Sequence, residues 1–205
     1  MAADLEVTAE TLLVRARVDG KSAIGRLLEH YRNYLTLLAR LQIGRRLQGK
    51  VDSADLVQET FLHAHRDFER FRGRTPEALA GWLRQILAAR LGDLVRRYVG
   101  AQRRNVNLER DLVKEIDESS HTLDRGLIDR QSSPSKVAAR REQAVLLADA
   151  LEQLPRDYRE VLILHNLEEY DFLEVATRMG RTVEAVKKLW ARALGQLRPL
   201  LKGNP

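Results

Sequence analysis

Residues 171–198 read DFLEVATRMGRTVEAVKKLWARALGQLR, and this stretch decides the fold class. Asp171 and Glu174 have the D-x-x-E spacing of a capping box, so a short helix is expected to begin there. Leu173, Val175, Ala176 and Met179 are its expected buried side. Gly180 supplies the positive φ that ends it, and Thr182 can cap a second helix. In that second helix Val183, Val186, Trp190, Ala193, Leu194 and Leu197 fall inward at three- and four-residue steps. Glu184, Lys187, Lys188, Ala191 and Arg192 are left on or near the outer face. Two short amphipathic helices joined by Gly180-Arg181-Thr182, the second basic outside, outline a helix-turn-helix, whose second helix enters the major groove. Lys187 and Lys188 suit phosphates or guanine edges, and Arg192 suits a backbone phosphate. A solvated basic helix in an ordinary bundle carries the same pattern, and Trp190 fits core packing or, as the alternative, base stacking.

Outward from this motif the chain reads as helix nearly throughout: aromatics are few and alternating strand patterns are missing. Ile24, Leu27, Leu28, Tyr31, Leu35, Leu38 and Leu41 form one stripe, with Gly44 as its expected stop. Asp52 is an N-cap for a helix carrying Leu56, Val57, Thr60, Phe61, Ala64 and Phe68. Arg72-Gly73-Arg74-Thr75-Pro76 breaks the pattern before a long helix with Trp82, Leu83, Ile86, Leu87, Leu91, Leu94, Val95 and Tyr98. Ser133-Pro134 and Leu154-Pro155 mark two further helix starts. The expected fold is therefore all-α, with two small helical domains and a linker between them.

Charge supports that division. The 205 residues contain 35 Lys and Arg against 29 Asp and Glu, a net charge of +6, which favours a polyanionic partner and also suits many soluble proteins. From Arg70 to Arg104 nine arginines face only Glu77 and Asp93. From Asn105 to Asp129 seven acids outweigh Arg110, Lys114 and Arg125, and from Arg181 to Lys202 six bases face Glu184. Two basic regions separated by an acidic one suggest two nucleic-acid-facing domains and a linker that avoids the same polyanion. The absence of cysteine excludes disulfides and thiolate metal sites and fits a reducing compartment. The acidic start MAADLEVTAE is unlike a signal peptide, and no run is long enough to span a bilayer, so a soluble, untargeted, cytoplasmic protein without membrane insertion is expected.

Residues 154–197, LPRDYREVLILHNLEEYDFLEVATRMGRTVEAVKKLWARALGQL, resemble domain 4 of bacterial sigma-70-family factors, especially the short extracytoplasmic-function (ECF) group. DSADLVQETFLHAHRDFERFRG, followed by WLRQILAARLGDLVRRY, resembles their domain 2. Two motifs in this order are more specific than either alone. The resemblance implies an N-terminal tail at 1–20, sigma domain 2 at 21–104, an acidic linker at 105–132 and sigma domain 4 at 133–205. It implies an RNA polymerase sigma factor directing promoter recognition, promoter melting and transcription initiation.

By the same resemblance Asp55, Leu56, Val57, Gln58 and Glu59 bind the β′ clamp of RNA polymerase core. The residues themselves divide: Leu56 and Val57 look like core, while Asp55, Gln58 and Glu59 suit a polar contact surface or a plain solvated face. The loop from Arg72 to Ala80 would hold a flipped base of the −10 element, with Arg72, Arg74, Arg84, Arg90, Arg96 and Arg97 facing the melted strand. Arg181, Thr182, Glu184, Lys187, Lys188 and Arg192 would read the −35 element, and the same domain would touch the β flap. Where the family commonly has a basic or polar residue this chain has Leu189, which implies a different base pattern or a packing role. The linker is expected either to mimic RNA through its negative charge or to act as a plain tether, and Leu108, Leu112, Val113, Ile116, Leu123, Leu127 and Ile128 are numerous enough for part of it to be helical. Promoter DNA, RNA polymerase core and an anti-sigma factor are the implied partners.

No cofactor, metal or enzyme activity is expected. His63 and His65, two apart on a helix, point to different sides, and neither a phosphate-binding glycine loop nor a G-x-S-x-G turn is present. The alternative is a stand-alone helix-turn-helix regulator with a helical dimerisation or sensing domain. In that alternative the second basic block and the DLVQE motif have no role.

Overall fold

The computed structural model describes residues 8–46, 52–99, 106–124 and 137–202, and every regular element among them is helical. The chain divides into two units, Met1–Asp117 and Glu118–Pro205.

The first unit begins with α1 (Ala9–Val18), inside the segment expected as a tail. Thr8 caps it by accepting from the Thr11 amide at 3.3 Å, and Ala9, Leu12, Leu13 and Ala16 are its buried face. Gly20, at φ 74°, turns the chain into α2 (Lys21–His30), which packs on α1. The expected stripe from Ile24 to Leu41 is divided between α2 and α3 (Arg32–Arg46). The break falls at Tyr31, which is buried and whose hydroxyl donates to the Pro76 carbonyl at 3.4 Å, so a long-range contact interrupts a locally continuous pattern. Helix α3 passes through Gly44, the expected stop, to Arg46. The four helices α1–α4 are completed by α4 (Ser53–Asp67), where Asp52 accepts from the Ala54 amide at 2.8 Å as expected of its cap.

A single 3-10 turn at Phe68–Arg70 and a loop over residues 71–75 lead to α5 (Pro76–Val99). Leu79, Leu83, Leu87 and Leu91 of α5, together with Leu27, Leu35, Leu38 and Leu56, are among the most fully buried side chains. Each fully buried leucine contributes about 2 kcal/mol, so this apolar set dominates the unit's stability. Helix α6 (Val106–Asp124) lies where the acidic linker was expected. Its first half belongs to the first unit. Leu112 and Ile116 are fully buried, a Cβ placed on Gly92 of α5 would lie 3.6 Å from Leu112, and Gln42 of α3 donates to the Glu115 carbonyl at 3.4 Å.

The second unit contains α7 (Val137–Gln153), α8 (Arg156–Leu162), α9 (Phe172–Met179) and α10 (Val183–Lys202). Helix α10 packs on α7, α8 and α9, and buries Val186, Ala193 and Leu197 completely. Helix α8 ends in a π turn at Ile163–Leu167, whose wider winding precedes the chain reversal at Glu169, φ 61°. The expected helix start at Ser133-Pro134, the arginines Arg103 and Arg104, and Leu127 and Ile128 lie outside the described residues.

Candidate nucleic-acid interface

In the second unit the helix-turn-helix is built by local chemistry. Asp171 accepts from the Glu174 amide at 2.8 Å while Glu174 accepts from the Asp171 amide at 3.0 Å, which completes the capping box. Gly180 ends α9 in the left-handed region at φ 61°, ψ 37°. Thr182 then accepts from the Ala185 amide at 3.2 Å and starts α10.

One expected core residue is out of place: Leu173 is 66% exposed, while its neighbour Phe172 turns inward. The capping box fixes the register of α9, so the inward positions are 172, 175, 176 and 179 and Leu173 falls beside Thr177 on the outside. Phe172 stacks on His165 at 4.0 Å between ring centres, and Trp190 meets both rings edge-on at 5.6 and 5.7 Å. The Trp190 indole donates to Asn166 Oδ1 at 2.9 Å, and His165 Nδ1 donates to the Tyr170 carbonyl at 2.8 Å. Trp190 is thus a packing residue that fixes α10 against the π turn, with its polar edge satisfied. His165, Asn166 and Phe172 carry no sequence signal of this role, because only the fold brings them to Trp190.

The outer face of α10 is graded by its partners. Lys187 lies 3.8 Å from Glu184, and Arg181 pairs with Asp157 at the start of α8. Lys188 and Arg192 are exposed and make no ion pair among the described residues. Leu189 is half-buried, which favours packing for it. Arg156, Asp157, Glu160, Arg178, Met179 and Arg181 line a cleft of about 280 Å³ between α8 and the end of α9.

In the first unit α4 divides cleanly. Leu56 and Val57 are fully buried, and Asp55, Gln58 and Glu59 are exposed on the outer side together with Leu62, which is 58% exposed. After α4, Phe71 stacks on Trp82 at 5.0 Å, and Phe68 meets Trp82 at 6.4 Å. Trp82 is therefore a half-buried packing residue that backs the loop.

The six arginines expected on the −10 side do not form one surface. Arg72, Arg74 and Arg97 are exposed. Arg84, with 12% of its side chain exposed, bonds to Asp117 Oδ1 at 2.6 Å and to the Tyr34 hydroxyl at 3.1 Å. Burial works against its charge, but Tyr34 and Asp117 more than offset it and raise its pKa. Arg90 and Arg96 both pair with Asp93, Arg90 at 2.9 Å, and Arg90 also donates to His63 Nε2 at 3.2 Å. A run of like charges in sequence suggested a continuous basic face; one aspartate on α5 and one on α6 commit three of those arginines to structure instead.

Two family models match the chain in the same order as the two units: Sigma-70 region 2 over residues 27–100 and Sigma-70, region 4 over residues 144–197. The ECF RNA polymerase sigma-E factor of Haemophilus influenzae is 26% identical over 191 residues, covering 92% of each chain. The ECF RNA polymerase sigma factor SigG of Mycobacterium tuberculosis is 32% identical over 153 residues, 71% of this chain and 41% of that protein. This chain belongs to the ECF group of the sigma-70 family. It is an RNA polymerase sigma factor of transcription initiation, with core polymerase and promoter DNA as partners. The stand-alone regulator is set aside, because such a protein has no use for region 2. The solved structure of CnrH in complex with the cytosolic domain of CnrY is 25% identical, covering 97% of this sigma factor and all of that chain, at a TM-score of 0.32. Among the described residues no helix of this sigma factor is long and apolar enough to cross a membrane.

Proposed function

We propose that this sigma factor reads its promoter in two separate pieces and anchors itself to core polymerase through a third surface. The functional domains centre on residues 21–104 and 133–205, with α1 and the first half of α6 added to the first. The exposed Asp55, Gln58 and Glu59 on α4 meet the β′ clamp, with Leu56 and Val57 holding that helix in the core beneath them. Arg72, Arg74 and Arg97 face the melted −10 strand, while Arg84, Arg90 and Arg96 stiffen α5 through their acidic partners. Lys188 and Arg192 hold the −35 duplex, Lys187 assists them, and Thr182, Glu184 and Arg181 shape the entry of α10 into the groove.

The observation that carries this reading is that Lys188 and Arg192 make no ion pair among the described residues, on a helix whose opposite face is locked by Val186, Ala193 and Leu197. A rigid helix that presents uncompensated cations loses little entropy on meeting a polyanion. The same domain touches the β flap, an anti-sigma factor restrains the free protein, and the protein works in the cytoplasm without chemistry of its own. In vitro transcription with purified core tests the reading. The chain should direct initiation from a promoter selected from genomic DNA, and Asp55→Ala with Glu59→Ala should weaken core association without changing which promoter is chosen. Unchanged core association in that variant would remove the clamp assignment.

A further inference from the structure

We propose that Arg17, on α1, is a positioning residue for the −10 loop: it latches the Gly73 carbonyl and so fixes the direction in which Arg72 and Arg74 point. This rests on the assignment of that loop to the −10 strand. The loop is held at alternate residues. Phe71 is fixed by stacking on Trp82 at 5.0 Å, and Thr75 accepts from the Ala78 amide at 3.2 Å and starts α5. Between them Gly73 lies so close to its surroundings that a Cβ would sit 2.4 Å from the Phe71 ring and 2.7 Å from the Ala78 methyl. The Arg17 guanidinium donates to the Gly73 carbonyl and lies 5.9 Å from the centre of the Phe71 ring. Residues 71, 73 and 75 are therefore tied down, while Arg72 and Arg74 between them are exposed.

The latch comes from a helix outside the matched region 2 segment, which starts at residue 27. Arg17 satisfies the carbonyl between two arginines and places its flat cation against an aromatic ring, a combination that a lysine reproduces only in charge. A loop ordered before DNA arrives has less entropy to lose when it captures a base.

The test uses the full chain, core polymerase and a promoter fragment selected by the reconstituted holoenzyme, with permanganate reactivity of −10 thymines as the measure of opening. Arg17→Ala should slow opening about fivefold, the scale of one ordinary net hydrogen bond at an exposed site, with core affinity and Tm of the free protein unchanged. Arg17→Lys should recover only part of the rate. Gly73→Ala should produce the same defect, and the double variant should be no slower than the worse single one. Wild-type opening in Arg17→Ala, full recovery with lysine, or a loss of Tm and core affinity parallel to the loss of opening would each overturn the proposal. Arg72→Ala with Arg74→Ala separates the two levels. If that variant slows opening and Arg17→Ala does not, only the latch fails; if it opens normally, the loop assignment fails and the latch with it.

Discussion

Lys188 and Arg192 differ from the third cation of this face, Lys187, in what surrounds them. Lys187 shares its charge with Glu184 at 3.8 Å, so on binding a phosphate it exchanges one partner for another. Lys188→Ala should therefore weaken upstream duplex binding by the holoenzyme more than Lys187→Ala, and lower the salt dependence by about one ion where Lys187→Ala lowers it less. Filter binding across a salt series measures both slopes. Arg84 makes the opposite case. Its sequence position among nine arginines suggested a phosphate contact, but its guanidinium is held by Asp117 and Tyr34. Arg84→Ala should cost about 1–3 kcal/mol of stability, read by denaturant unfolding, because Asp117 loses its partner at a half-exposed site. The same variant should leave the salt dependence of promoter binding unchanged.

At the scale of elements, the turn between α9 and α10 sets the angle at which the second helix is offered to DNA. Local chemistry makes that turn: a complete capping box at Asp171 and Glu174, Gly180 at φ 61°, and Thr182 as the next cap. Asp171→Ala should cost about 1 kcal/mol, and Gly180→Ala a similar amount through left-handed strain, both seen as lower Tm. These features were legible in the sequence because each acts over three or four residues. The register of α9 was legible only in part. Four apolar residues near its start could not all face inward: the capping box sets the register that turns Phe172 in, and the His165 and Trp190 rings that receive it are brought there by the fold. The single break at Tyr31 was hidden for the same reason: the stripe through α2 and α3 is continuous, and only the contact to Pro76 shows where it is interrupted.

For the whole molecule, the charge pattern suggested two nucleic-acid-facing domains, the two motif stretches carried the family resemblance, and the order of the region 2 and region 4 matches agrees with both. Charge counting was a poorer guide to which arginines are available. Pairing between α5 and α6, and within α5 at Asp93, depends on helix faces rather than on totals. The residues read as a tail contain α1, whose apolar stripe is short and was outweighed by its charged neighbours, whereas the apolar residues of the linker already pointed to helix where α6 lies. The central claim is that promoter recognition is divided: α10 cations hold duplex while the Arg72–Arg74 loop acts on the opened strand, and neither suffices until core polymerase holds both. The direct measurement is opening and binding by reconstituted holoenzyme on one selected promoter, comparing wild type with Lys188→Ala/Arg192→Ala and with Arg72→Ala/Arg74→Ala. The account predicts that the first variant loses promoter affinity and regains opening at high DNA concentration, while the second keeps initial binding and opens slowly at any concentration. Identical defects in the two variants, or tight specific binding by the free chain without core, would contradict it.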